Sequence, residues 1–218
     1  MLVGGIDEAG RGPVMGPMVM AIAVIKKESE FKLQTFGIKD SKLLTPRRRK
    51  ELFKVISDLC KTAVVTISSD EIDAAVLSST DNLNWLEARK AAELINKVKA
   101  DTVILDCPSN NINAYREYIK QRVKNKKVKL VVEHKADLNH LIVGAASIIA
   151  KVTRDEEIVK IRKNIRIDFG SGYSSDPRTQ AFVKKYWDNN KYSKHMRKSW
   201  DTWKKHHKKT AQKSLGEF

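Results

Sequence analysis

Five short runs rich in β-branched and aliphatic residues constrain the fold of this chain more than any other feature. The first (residues 2–6) and second (18–25) are separated by Gly10, Gly12, Pro13, Gly16 and Pro17, which enforce a turn, so the two runs read as neighbouring strands. The second is apolar throughout, as in a strand buried on both faces. Residues 63–68 alternate like a third strand, and residues 102–105 form a fourth that ends at Asp106, before Cys107-Pro108. Residues 128–133 are the fifth. Helical patterns fill the gaps. Thr45 caps and Pro46 opens one helix through about Leu59. The spacing predicts further helix over 70–99, with a break near 78–81, and over 114–123. From about Leu138 to Ile165 a long amphipathic segment begins apolar and small and ends charged. Strands separated by helices, after an initial antiparallel set, imply an α/β layered domain with a mixed sheet.

After Ile167 the character changes. Residues 170–177, Gly-Ser-Gly-Tyr-Ser-Ser-Asp-Pro, read as a loop, and the remainder is helical, aromatic and very basic. A boundary near Gly170 divides the chain into a main domain (1–169), a basic helical subdomain (170–211) and a tail (212–218). At 218 residues the chain is long enough to bury a sizeable core. Its longest apolar stretch is too short to span a bilayer, and it reaches an acidic pair by Asp7, unlike a signal peptide. The only cysteines, Cys60 and Cys107, lie in apolar contexts, so a reducing cytoplasm is expected and a disulfide framework is not. The formal charge of +16 attracts polyanions and points to a nucleic-acid partner, though it specifies no chemistry. The basic run at 204–209 fits a solvated helix face as well as nucleic-acid contact.

Chemistry enters with the acidic residues. Asp7 with Glu8, Asp106 and Asp137 each follow a strand-like run. If the first, fourth and fifth strands are adjacent, four carboxylates meet at their ends. Such a set repels itself unless cations neutralise it, and hard oxygen ligands suit Mg²⁺ or Mn²⁺. Two ions about 4 Å apart activate a water and stabilise the leaving oxygen of a phosphodiester. Asp and Glu at strand ends also serve as turn or cap residues, so spacing alone leaves both readings open. His134, His140 and the C-terminal histidines lack zinc-ligand spacing, and Gly10-Arg11-Gly12 lacks the ending of a nucleotide-phosphate loop.

Asp7-Glu8-Ala9-Gly10-Arg11-Gly12-Pro13 resembles the signature of type 2 ribonucleases H, specifically the archaeal ribonuclease HII group. The resemblance continues in order through Asp40-Ser41-Lys42-Leu43, Asn82-Leu83-Asn84, Asp106 and His134-Lys135-Ala136-Asp137. It recurs again in residues 146–155, in Gly170-Ser171-Gly172-Tyr173 and in Arg197-Lys198-Ser199-Trp200. The short stretch before Asp7 favours ribonuclease HII over the related HIII type. The resemblance implies a ribonuclease H-like mixed five-stranded sheet flanked by helices, with a small C-terminal helical subdomain, acting as a monomer.

By resemblance, Asp7, Glu8, Asp106 and Asp137 are both catalytic residues and ligands of two Mg²⁺ or Mn²⁺ ions. Asp7 bridges both, Asp137 lies on the side of the attacking water, and Glu8 and Asp106 hold the ion near the leaving 3′-oxygen. The expected activity is endonucleolytic hydrolysis of the RNA strand of RNA–DNA hybrids, and cleavage 5′ of ribonucleotides embedded in duplex DNA. In-line attack leaves a 3′-hydroxyl and a 5′-phosphate and serves to remove misincorporated ribonucleotides and RNA primers. Gly10, Arg11 and Gly12 are expected to contact the 2′-hydroxyl, the atom that separates RNA from DNA. Tyr173 hydrogen-bonds it while packing on the next sugar. Lys42, Asn82, Lys151 and Arg154 are phosphate-contact candidates by family position, with Lys151 and Arg154 three apart on one helical face. Lys135 is a weaker one, because it also balances local charge.

The chain ends Gln212-Lys213-Ser214-Leu215-Gly216-Glu217-Phe218, which resembles the peptide by which replication proteins dock on the sliding clamp. Leu215 and Phe218 then act as anchors and Gln212 fills a polar pocket. The usual motif has two adjacent aromatics, and here the chain stops after one. Two rivals explain less. A non-catalytic basic RNA-binding protein accounts for the charge but not the four acidic positions. An integrase or junction resolvase shares the carboxylates but lacks the Gly-Arg-Gly and Tyr173 pair.

Overall fold

The computed structural model describes residues 1–38 and 44–214, with side chains as far as residue 207 at the C-terminal end. In chain order the first elements are β1 (Leu2–Ala9), β2 (Met18–Lys26), a 3₁₀ turn (Lys27–Ser29), α1 (Phe31–Thr35) and α2 (Pro46–Leu59). They are followed by β3 (Lys61–Ile67), α3 (Ser69–Leu77), α4 (Leu83–Lys97), β4 (Thr102–Asp106), α5 (Ile112–Arg122) and β5 (Lys129–Glu133). The last are α6 (Ala136–Asn139), α7 (Leu141–Ile165), α8 (Pro177–Tyr186), α9 (Asn190–Ser193) and α10 (Asp201–Ser214). No helix among the described residues is long and apolar enough to cross a membrane.

Local chemistry sets the helix starts. Thr45 Oγ1 accepts from Arg48 N at 3.2 Å with Pro46 in the first turn of α2. Ser68 and Asn111 side chains cap α3 and α5 in the same manner. The long segment expected from Leu138 to Ile165 is divided, because His140 has extended backbone (φ −128, ψ 116) between α6 and α7.

The strands form one sheet in the order β3-β2-β1-β4-β5. β1 pairs antiparallel with β2 and parallel with β4, and β4 pairs parallel with β5, which makes the sheet mixed. β2 is buried along its length except at Lys26, as a continuous apolar run requires. β1 is longer than the sequence pattern implies. It runs to Ala9, with Asp7 opposite Ala21 and Glu8 opposite Met20, so the acidic pair lies within the strand rather than after it. Pairing with β2 continues there because a ladder depends on its partner's hydrogen-bonding groups as well as on side-chain polarity.

The chain forms two compact units. The first comprises Met1–Ala9, Val19–Thr66 and Leu83–Arg154. Its core joins Val3 and Ala9 of β1, alternate residues of β2, Leu52 and Ile56 of α2, and the apolar start of α7 from Ile142 to Val152. That half of α7 is apolar almost all round and correspondingly buried. It presses on β1 so closely that a Cβ on Gly5 would stand 2.5 Å from the backbone of Ile142 and Val143. The glycine two residues before Asp7 is therefore the one that lets the helix seat against the strand.

The second unit comprises Gly10–Met18, Ile67–Asn82 and Asp155–Phe218. Its core gathers Val14, Met15, Ile158, Ile161, Ile165, Phe169, Phe182, Val183 and Met196. Partly buried Tyr186, Trp187, Tyr192, Trp200 and Trp203 pack around it. Much of the aromatic character of the C-terminal region is thus used in packing, as in the Phe182–Tyr186 ring pair at 5.0 Å.

Candidate active site

In the first unit the register of the sheet draws two carboxylates level. Ile6 pairs with Leu105 across the parallel β1–β4 ladder, so Asp7 and Asp106 are the next residues on adjacent strands. Residues in register on parallel strands point to the same face. Asp106 ends β4, and Asp7 lies just past the last β1–β4 pair though still within β1, toward the carboxyl side of the parallel strands where open α/β sheets bind ligands. Asp106 Oδ1 accepts from Ala136 N at 3.0 Å, which ties down the start of α6, and Asp137 is in the first turn of that helix. Glu8 follows Asp7 on a regular strand, where side chains alternate in direction.

The segment carrying Asp137 is fixed by partnerships that sequence patterns do not reveal. Glu133 Oε1 accepts from His140 Nε2 at 2.8 Å and from Asn139 Nδ2 at 3.3 Å. His134 Nδ1 pairs with the Cys107 carbonyl at 2.9 Å, and Cys107 N donates to Glu133 O at 2.9 Å. Lys135 adopts a left-handed conformation (φ 59) at this bend, a strain that non-glycine residues rarely accept. Both histidines of the segment are thereby engaged.

Asp7 is only 8 % exposed. Burial, and then the charges of Glu8 and Asp137, push its carboxyl well above the usual carboxylate range. Donation from the Ser147 hydroxyl and the Glu8 backbone N–H works in the opposite direction, the latter at 2.8 Å. Ser147 lies in the small-residue stretch of α7, where its neighbours are apolar. Among the described residues, no three Asp, Glu, His or Cys groups stand close enough together to form a ready-made metal cage. The donor chemistry at the strand ends is nonetheless carboxylate oxygen, the kind that hard divalent cations take.

The second unit brings together the other predicted elements. Gly10 has φ 86, which glycine adopts without strain. Gly12 has no such need: its φ is ordinary, and an added Cβ would meet nothing nearer than Tyr173 Cε1 at 3.9 Å. The fold itself does not require glycine there. Val14 N and Met15 N both donate to Gly172 O, at 2.9 and 3.1 Å, which joins the turn after β1 to the residue preceding Tyr173. Gly172 N is held by Thr179 Oγ1 at 3.0 Å, and that hydroxyl donates to Phe169 O at 2.7 Å. Tyr173 is 43 % exposed, so it is not a core aromatic.

The remaining predicted residues are more dispersed. Asn82 is exposed, one residue before α4. Lys151 of α7 is half-buried, whereas Arg154 is only 2 % exposed, so the two do not present one solvent-facing surface as their spacing suggests. Lys42, Leu215 and Phe218 lie outside the described residues, and Gln212 is in α10 with its side chain outside them.

The sequence and structure both match known proteins. The model of the ribonuclease HII family matches residues 4–203. A ribonuclease HII of Methanococcus maripaludis is 43 % identical over 206 residues, spanning 92 % of this chain and 85 % of that protein. The crystal structure of ribonuclease H2 from Pyrococcus horikoshii superposes with a TM-score of 0.87 at 38 % identity, covering 96 % of this chain and 98 % of the other. The ribonuclease HII in a PCNA:RNase HII complex from Archaeoglobus fulgidus gives 0.81 at 36 % identity, covering 92 % and 94 %. A family match over most of the chain, with the mixed five-stranded sheet beneath it, decides the matter: the chain belongs to the ribonuclease HII family, of the archaeal type, and is a ribonuclease.

Proposed function

We propose that this chain hydrolyses the RNA strand of RNA–DNA hybrids and cuts duplex DNA 5′ of embedded ribonucleotides, leaving 3′-hydroxyl and 5′-phosphate ends. The observation that carries the reading is Asp7, a buried carboxylate repelled by Glu8 and Asp137. A group so placed is costly when ionised, and a divalent cation offsets that cost. Asp7, Glu8, Asp106 and Asp137 are the residues that would hold two Mg²⁺ or Mn²⁺ ions. When bound, such ions supply activation of water and stabilisation of the leaving oxygen. The chain's own contribution is to hold the donors. The sheet sets Asp7 and Asp106, Asp106 tethers the start of α6, and Glu133 with His140 steadies the bend that bears Asp137.

Recognition of the ribose is assigned to Gly10, Arg11, Gly12 and Tyr173. Gly12 supports it because the chain has no conformational use for glycine there, leaving close approach of a sugar as its purpose. An exposed Tyr173 beside it offers a ring for the neighbouring sugar and a hydroxyl for the 2′-oxygen. Lys42, Asn82 and Lys151 are proposed to meet the phosphates, where each contact contributes a salt-dependent increment of affinity. Arg154 stays a phosphate-contact candidate by family position, with its side chain only 2 % exposed in the protein alone.

The C-terminal peptide with Gln212, Leu215 and Phe218 is proposed to dock on a sliding clamp. The Archaeoglobus relative solved as a PCNA:RNase HII complex favours this reading. Deleting residues 212–218 should abolish capture by an immobilised clamp and leave cleavage of free duplex unchanged. Retained capture would remove the tail from the account.

Two substitutions probe the site itself. Gly12→Ala should leave the melting temperature within about 1 °C, because the methyl meets only van der Waals contact, yet reduce cleavage at a single embedded ribonucleotide by about tenfold or more. Wild-type cleavage by this variant would contradict close approach of the sugar. Asp7→Asn should abolish cleavage and, in chelator, stabilise the protein. The sign follows from linkage. Because the native Asp7 carboxyl titrates above its ordinary value, the folded state keeps a proton that the unfolded state has lost as pH rises through that ordinary range, and stability falls until the native group has ionised. Asparagine removes that fall. The variant's advantage should therefore grow as pH rises, be greatest at alkaline pH and vanish toward pH 4, at about 2–4 °C in Tm per kcal/mol relieved. A variant less stable than wild type at pH 8 in chelator would contradict it.

A further inference from the structure

Arg197 is buried at 0 % exposure, although it sits in the most basic part of the chain. Its guanidinium is spent on backbone carbonyls of the turn that follows β1. Nη1 donates to Arg11 O at 2.7 Å, Nη2 to Gly10 O at 2.5 Å and Gly16 O at 3.1 Å, and Nε to Gly16 O at 3.2 Å. Trp200 Nε1 adds a bond to Gly12 O at 2.9 Å, and its ring lies 4.9 Å from the Arg197 guanidinium carbon. All three carbonyls of Gly10-Arg11-Gly12 are thus held by residues of one short segment.

That segment is itself fixed from two sides. Arg197 N donates to Val14 O at 2.8 Å, Gly16 N donates to His195 O at 2.8 Å, and Met15 bridges to Met196. On the other side Asp73 of α3, a buried carboxylate, accepts from Lys198 N at 2.7 Å, Ser199 N at 2.9 Å and Ser199 Oγ at 2.5 Å. A buried guanidinium is tolerated only when its planar donors are matched, and here the fork dictates the direction of each carbonyl it takes.

We propose that Arg197, with Trp200, is a positioning residue for ribose recognition. In a trans peptide the N–H points opposite to the C=O. Holding Gly10 O and Arg11 O toward Arg197 therefore turns the amides of Arg11 and Gly12 the other way, and both amides are donors suited to a 2′-oxygen. The arrangement is pre-organised, so the substrate need not order the loop on binding. Asp73 acts one step further back, by fixing the residues after Arg197.

The inference rests on the proposed reading of Gly12 and Tyr173 as sugar contacts, and the test separates the two. Binding is measured without cleavage, in chelator, for a duplex with one ribonucleotide and for the same duplex in all-DNA form. The Trp200→Phe variant, which keeps the ring and loses one donor, should lower the preference for the ribonucleotide duplex by about fivefold, the worth of one hydrogen bond. Arg197→Lys, with a point charge in place of a fork, should lower it by about tenfold or more, with all-DNA affinity unchanged. A residue with only a structural role would lower both affinities together or neither. If Tyr173→Ala loses the preference while folded Trp200→Phe and Arg197→Lys keep it, the positioning role is overturned. It is likewise overturned if Arg197→Lys does not fold and Trp200→Phe binds as wild type. If Tyr173→Ala and Gly12→Ala also keep the preference, the sugar-reading assignment falls, and this inference with it.

Discussion

Burying a carboxylate beside like charges is among the more expensive choices a fold makes, and the first unit makes it at Asp7. The cost is contained by geometry. β1 is the strand at which the sheet changes from antiparallel to parallel pairing, so its neighbours supply β2 on one edge and Asp106 on the other. Gly5 admits the α7 backbone, and Ser147 of that helix donates to Asp7. Those donations moderate the repulsion without removing it. Under the proposed reading, a divalent cation would offset that cost, and carboxylate oxygen is the donor that hard cations take.

The residues immediately following show the opposite strategy. The backbone carbonyls of Gly10, Arg11, Gly12 and Gly16 are taken by the Arg197 and Trp200 side chains and that of Val14 by Arg197 N, and the amides of Val14, Met15 and Gly16 are likewise committed. The two glycines of Gly10-Arg11-Gly12 then have different reasons to exist. Gly10 answers a backbone angle, whereas Gly12 answers no demand of the fold. The carboxylate strand and the carbonyl-clamped turn are contiguous in sequence, since Gly10 follows Ala9.

Much of this was legible in the sequence because the physical signals are local. Alternation and apolar runs located all five strands, Thr45-Pro46 marked the start of α2, and glycine with proline marked the turn after β1. The end of β1 was misplaced because ladder pairing with β2 carries the strand through Asp7 and Glu8 despite their charge. Side-chain partnerships across long separations were not legible. Arg197 stands out only as part of a family-like stretch and Asp73 not at all, and nothing in their spacing reveals that one binds carbonyls 181 to 187 positions away and the other braces it. Lys151 and Arg154 share a helical spacing, but burial, which depends on the packed environment, separates them.

The central claim is that carboxylate-held cations and a ribose reader act on one phosphodiester. The direct measurement is nicking of a DNA duplex containing one ribonucleotide, with the ends mapped, in Mg²⁺ and in chelator, beside the same duplex without it. The account predicts a single nick 5′ of the ribonucleotide, only with Mg²⁺, leaving a 3′-hydroxyl. Cutting in chelator, cutting of the all-DNA duplex, or a nick 3′ of the ribonucleotide ending in a cyclic phosphate would contradict it, the last because the 2′-hydroxyl would then be the nucleophile rather than the recognised group.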